Sequence, residues 1–306
     1  MALDKNSYII PSVLLSEAFY LSKEQPHFIA SKVEHVIQDG FFRSIELPVI
    51  NDAKDRKQIA SALKTRNCLI KDVVIWATER LAEPKIDLNA LDEKQRIKSV
   101  DEVKKILDYA KETGGTHVGI NAGNNVGILQ RSTAYQALLN SVNDIASYAQ
   151  SLDLKVLLEP LDRFADKKKL LGSTRDAQEL FGIITSSHKN VSLSLDTAHT
   201  ALNREGLREA LDLVAPYVEF IHLSNCVLDR QSPLYGDNHI MPGDPGFLTV
   251  KVAERMLQHA YANGIKSNEG LRVAIEFRQT ELGAGERTFQ LGTDFLKQIM
   301  LEFYLC

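Results

Sequence analysis

The run Val191-Ser-Leu-Ser-Leu-Asp196-Thr-Ala-His199 carries the reading of the whole chain. Val191 to Leu195 has the pattern of a β-strand, and it delivers an aspartate and then, three positions on, a histidine. An acid at the end of an apolar strand is where an open α/β sheet or a barrel places its chemistry, because strand C-termini point into the loop-lined mouth. The same construction recurs at Lys155-Val-Leu-Leu-Glu159, at Val218-Glu-Phe-Ile-His222 and at Arg272-Val-Ala-Ile-Glu276. Four strands thus end on side chains able to hold a metal ion.

Outward from these four, strand-like and helix-like segments alternate along nearly the whole length. Tyr8–Pro11 reads as a first strand and Ser44–Pro48 as a second. A third runs over Leu69–Thr78 and a fourth over His117–Asn121. Helices are expected over Phe28–Gln38, Asp52–Thr65, Asp101–Thr113, Thr133–Leu152, Thr174–Ile184, Gly206–Val214, Thr249–Asn263 and Arg287–Glu302. Long loops are expected over Glu79–Leu91 and Asn225–Phe247. The strands are short and rich in Val, Ile and Leu, as parallel strands covered on both faces should be. Eight such βα units in 306 residues, with no Gly/Pro/Ser-rich linker, predict a single (β/α)8 TIM barrel domain spanning 1–306. The rival, a doubly wound open sheet, lacks a G-x-G-x-x-G after the first strand.

Composition narrows the function classes. Charged residues at 25% and hydrophobic ones at 44% are ordinary for a soluble globular protein. A net charge of −4 and a pI near 6.1 give no basic field for nucleic acid or an anionic membrane. No run approaches the roughly 20 apolar residues of a membrane span, and Met1–Asn6 does not open a signal peptide. Cys68, Cys226 and Cys306 are too scattered for a disulfide framework, so a reducing cytoplasm is expected. The C-terminal apolar run from Phe295 suits either a homo-oligomer contact or packing on the barrel.

In a barrel, four consecutive strand ends line one side of the mouth, so Glu159, Asp196, His222 and Glu276 can converge. Three carboxylates and an imidazole make an oxygen-rich set suited to Mn²⁺, Mg²⁺, Co²⁺ or Zn²⁺. The earlier strands bring Glu46, Trp76 and Asn121 to the same mouth, where contacts to substrate are expected of them. His199 is placed to touch ligand or substrate, or to cap the chain after Asp196. Asp237-Asn-His239, in a Gly/Pro-rich loop, suits a second metal, a substrate hydroxyl or an Asx turn. Arg230 and Arg278 suit a bidentate clamp on substrate oxygens or surface ion pairs. Lys167-Lys168-Lys169 is read as a solvated loop, and Cys226 has no activating partner in the sequence.

These motifs together resemble the xylose isomerase-like superfamily of metal-dependent barrels, which includes sugar isomerases and epimerases, inosose dehydratases and endonuclease IV. Leu-Glu159-Pro-Leu-Asp-Arg-Phe164 is similar to the fifth-strand motif of ketose 3-epimerases, Asp196-Thr-Ala-His199 to their Asp-x-x-His, and Phe-Ile-His222-Leu-Ser-Asn225 to their seventh-strand histidine motif. His239-Ile-Met-Pro-Gly-Asp-Pro-Gly-Phe247 resembles the superfamily's His-x-x-Pro-Gly-x-Gly loop, and Glu276 stands at the final metal carboxylate. The resemblance implies that Glu159, Asp196, His222 and Glu276 are ligands of one divalent ion, Mn before Co, Mg or Zn, and that Glu159 and Glu276 double as acid and base. It departs at Ala165, where those epimerases carry a glutamate, and at Leu228, where they carry a substrate-binding arginine. A keto-glycoside, a polyol derivative or a sugar phosphate therefore stands beside a free ketose as substrate.

The implied reaction is proton transfer beside a carbonyl, giving epimerisation or isomerisation. Elimination by a dehydratase or carbon–glycoside lyase needs no different core. An endonuclease IV-like phosphodiesterase gains from Asp237-x-His239 but lacks histidines at the ends of strands two to four. A sugar-binding barrel without catalysis is the remaining alternative.

Overall fold

The computed structural model describes residues 5–266 and 269–305. Eight parallel strands close on themselves in sequence order: β1 (Ile9–Leu14), β2 (Ser44–Pro48), β3 (Asp72–Trp76), β4 (His117–Asn121), β5 (Lys155–Glu159), β6 (Val191–Asp196), β7 (Val218–Leu223) and β8 (Leu271–Ile275), with β8 pairing back onto β1. The helices are α1 (Leu15–Ala18), α2 (Phe28–Asp39), α3 (Ala53–Leu63), α4 (Thr78–Leu81), α5 (Glu93–Thr113), α6 (Arg131–Ser151), α7 (Thr174–Ser187), α8 (Thr197–Leu202), α9 (Leu207–Val214), α10 (Val250–Ala262) and α11 (Gly285–Leu305). The chain is thus a single (β/α)8 barrel.

The side-chain alternation of each strand builds two cores. Outward-facing residues such as Val73, Ile75, Val118 and Ile221 meet the helices in one continuous outer core. Val74, Trp76, Leu157 and Phe220, from the alternate strands β3, β5 and β7, fill the barrel interior as a layer. Gly119 belongs to this layer: a Cβ there would lie 2.3 Å from the Trp76 ring, so the indole can lie across the axis only because β4 has no side chain at that point. Below the apolar layer, buried Arg272 binds Asp72 at 3.0 Å and Glu219 at 3.3 Å. Above it, the strand ends carry the polar groups of the mouth.

Caps explain where the helices begin. Asp52, Asp92, Ser173 and Thr249 each accept backbone N–H groups from the first turns of α3, α5, α7 and α10. Asp92 is why α5 starts at Glu93 and not at Asp101. Ser173 caps α7, and the hydroxyl of Thr174, the first residue of that helix, donates to Glu205. The first strand runs past Pro11 to Leu14, and the third starts at Asp72 and not at Leu69. Three short helices fall in stretches where none was expected: α1 directly after β1, α4 at the start of the polar segment and α8 directly after Asp196. The apolar side of α11, with Phe295, Leu296, Ile299 and Phe303, packs onto the barrel. Among the described residues, no helix is long and apolar enough to cross a membrane.

Candidate metal centre and substrate cavity

Glu159, Asp196 and His222 stand at the ends of β5, β6 and β7, and Glu276 directly follows β8. The ladder places Asp196 beside His222, and Glu276 is held there as its N–H donates to the Leu223 carbonyl. One ligand atom from each of the four residues lies within 4.8 Å of all the others, and all four side chains are buried. Oε1 of Glu159, Oδ2 of Asp196, Nδ1 of His222 and Oε2 of Glu276 have no hydrogen-bond partner. Nδ1 of His222 is 2.8 Å from Glu159 and 3.0 Å from Glu276, but neither oxygen lies along a direction in which the ring could donate. Four buried, unpartnered atoms pointing at one another would be costly on their own. Their convergence and their chemistry fit a divalent cation.

Supporting groups turn each atom inward. Nε2 of His222 donates to Oε2 of Glu46 at 3.0 Å, which turns Nδ1 toward the cluster. Glu46 is fixed in turn by Trp76 Nε1 at 2.7 Å and Ser12 Oγ at 2.9 Å. Asp196 divides its carboxylate: Oδ1 caps α8 by accepting the His199 N–H at 2.7 Å, and Oδ2 faces the cluster. Burial pushes the Asp196 carboxyl up to about 8, with the charges of Glu276 and Glu159 adding to it. Burial also holds Glu159 up. It works on Glu276 too, but the His239 and His222 rings outweigh it and hold that carboxyl below its usual value. Against burial, Glu46, Glu159 and Glu276 hold His222 well above the usual imidazole value.

A second group adjoins the first. His199, Asp237 and His239 gather their ligand atoms within 4.8 Å, as do Glu17, His239 and Glu276. Here most atoms already have partners. His239 contacts Asp237 at 2.8 Å and Glu17 at 3.1 Å, Asp237 pairs with Lys167 at 3.1 Å, and Arg278 donates to Glu17 at 2.6 Å. Against burial, His239 and Arg278 hold Glu17 down at about 2, and Asp237 and Asp196 raise His199 to about 10. His239 takes a left-handed backbone, φ 48°, strain of the kind that gathers at binding sites.

Both groups border a cavity of about 300 Å³, at the small end of ligand pockets. Trp76, Asn121, Glu159, His199, His222, Asp237, His239, Glu276 and Arg278 line it. Two residues expected at substrate lie elsewhere. Glu46 has no exposed surface and sits beneath the cavity behind His222, so its contact is with the ring and not with a ligand. Arg230 is exposed on the rim of a different cavity, beside Leu202, Tyr235 and Phe247, because the loop after β7 carries it outward. The sequence reading missed Glu17 on α1, which joins His239 and Arg278, and Asp162, whose carboxylate accepts the Lys167 N–H at 3.0 Å. Glu17 follows β1 by three residues, as His199 follows β6, but ending the first strand at Pro11 hid that spacing.

A family model described as xylose isomerase-like TIM barrel matches residues 37–299. Among solved structures, the IOLI protein with a bound zinc atom superposes with a TM-score of 0.73 at 15% identity, over 96% of this chain and 98% of that one. D-psicose 3-epimerase from Clostridium cellulolyticum H10, in complex with D-tagatose, gives 0.66 at 16% identity over 96% and 97%. The 3-keto-D-glucoside 4-epimerase YcjR from E. coli gives 0.68 at 16% over 95% and 98%. No curated protein sequence matches the chain. At such identities the superpositions speak for the fold.

Proposed function

Since the chain belongs to the xylose isomerase-like TIM barrel family, we propose that it is a divalent-metal-dependent isomerase or epimerase acting on a keto-sugar or sugar derivative. The observation that carries this reading is the set of four buried, unpartnered ligand atoms within 4.8 Å of one another. Glu159, Asp196, His222 and Glu276 would hold the ion, with Mn²⁺ our first choice and Co²⁺, Mg²⁺ or Zn²⁺ the alternatives. Bound there, a divalent ion supplies Lewis acidity, stabilising the negative charge that a carbonyl oxygen gains when the neighbouring carbon loses its proton.

The chain's own residues do the rest. Glu159 and Glu276 both reach the cavity wall, and with one oxygen each turned to the cluster the other is left to take or return a proton. Removal by one and return by the other gives inversion at that carbon; return at the neighbouring carbon gives isomerisation. A substrate with a leaving group beside that carbon would be eliminated by the same residues. His199, Asn121 and Trp76 line the cavity where substrate hydroxyls and carbons would be held. A phosphodiesterase needs further metal ligands at β2 to β4, where Glu46, Trp76 and Asn121 stand. A cytoplasmic location fits the free thiols of Cys68 and Cys226.

Solvent-deuterium exchange into candidate keto-sugars tests the reading. The metal-loaded wild type should place deuterium at the carbon beside the carbonyl. Glu159→Gln and Glu276→Gln should each slow exchange by at least about 10²–10⁴-fold, the usual share of one acid–base group, since each also removes a metal ligand. Exchange that persists in the double variant would contradict the assignment.

A further inference from the structure

The Lys167-Lys168-Lys169 run is not the uniform solvated loop its composition suggests. Its backbone is stapled to the segment after β4: Asn125 N–H donates to the Lys168 carbonyl at 2.8 Å and Leu170 N–H to the Gly123 carbonyl at 2.9 Å. Lys169 forms an antiparallel bridge with Asn124, and its own N–H donates to the Asp162 carbonyl at 3.0 Å. The side chains divide accordingly. Lys167 and Lys169 are half-buried in the cavity wall, whereas Lys168 is exposed and absent from it.

The cations of that wall differ in what neutralises them. Arg278 is held by Glu17, and Lys167 lies 3.1 Å from both Asp166 and Asp237. Among the described residues, no carboxylate pairs with Lys169; its ammonium meets only Oδ1 of Asn124, at 3.2 Å. Burial, with the neighbouring charge of Lys167, lowers its pKa despite the field of Asp87. A half-buried ammonium that no carboxylate pairs with directly, on a braced backbone and in the wall of the reaction cavity, is a ready partner for an anion.

We propose, building on the isomerase or epimerase reading, that the substrate carries an anionic oxygen group away from the reacting carbon, a carboxylate or a phosphate, and that Lys169 with Asn124 recognises it. Lys169 is then the residue that sets specificity, and a neutral free ketose is the wrong class of substrate. The position is separate from the four metal-ligand candidates, so charge recognition and proton transfer can be tested apart.

Calorimetric titration of the metal-loaded protein would use three probes that share one carbon skeleton: a neutral ketohexose, its 6-carboxylate and its 6-phosphate. Wild type should bind at least one anion about tenfold or more tighter than the neutral sugar, since the anion gains a charge-assisted hydrogen bond. The tighter of the two identifies the group. Lys169→Met should abolish the preference while leaving the neutral sugar's affinity unchanged, Lys169→Arg should retain it, and Lys168→Met should behave as wild type. Equal affinities for all three probes, no binding of either anion, or an equal loss for neutral and charged probes in Lys169→Met would overturn the proposal. Deuterium exchange, followed on the same samples, reports the reaction independently. A protein that prefers the anion but exchanges no deuterium would fail the reaction reading and keep the Lys169 assignment.

Discussion

Glu46 shows how far one buried residue governs the centre. Its two oxygens receive Ser12, Trp76 and His222, so it fixes the ring that presents Nδ1 to the cluster. Partners of this kind typically change metal affinity by about 10–100-fold when altered. Glu46→Gln keeps the size and one acceptor but removes the charge. It should weaken metal binding by about that factor in chelator competition, with the fold retained; unchanged affinity would show that the contact does not orient the ligand. The four ligand candidates were legible in the sequence because each stands where an apolar strand ends. The role of Glu46 was not. It depends on β2 facing β7 across the closed barrel, a meeting of residues 176 positions apart that no local pattern encodes. Arg230 misled for the converse reason: proximity in sequence to His222 says little about which way a long loop turns.

At the scale of elements, the segment between β5 and α7 braces the cavity. Asp162 accepts the backbone N–H groups of Asp166 and Lys167 and faces His199, and these hold its carboxyl down at about 2 in spite of burial. The ordinary value is 3.8, so the unfolded chain takes up the proton first. The stabilisation is complete above 3.8 and is lost as pH falls through about 2. Asp162→Ala should cost about 1–3 kcal/mol near neutral pH in denaturant unfolding, the penalty of leaving buried donors unpaired. The gap from wild type should narrow as the acid range is entered; a gap independent of pH would contradict the assignment. The sequence reading recovered strands well, since burial on both faces marks them, and recovered helix starts less well. Asp92 and Ser173 decide where α5 and α7 begin, yet several acids and hydroxyls nearby offer the same cap chemistry. The short α8 was hidden because Asp196 is both strand end and cap.

The whole molecule separates stability from chemistry along the barrel axis. At the N-terminal end of the strands Arg272 ties β3, β7 and β8 together through Asp72 and Glu219, with the apolar layer of Val74, Leu157 and Phe220 between it and the mouth. Breaking a buried charge network by removing one partner costs about 3–5 kcal/mol. Arg272→Met should lower unfolding free energy by that amount without changing metal content in the protein that remains folded, and Arg272→Lys should recover part of it. Loss of metal in folded Arg272→Met would show that the two ends are coupled. This division is the reverse face of the closed topology, in which every strand contributes its first residues to one end and its last to the other. It is also why the strand-terminal acids and histidine were expected to share one mouth once eight βα units had pointed to a barrel. Elemental analysis of the purified wild type beside Glu276→Gln tests the central claim most directly: about one divalent metal per chain in the wild type and little in the variant is the expected result, and no metal in the wild type under any loading condition, or equal metal in both, would contradict it.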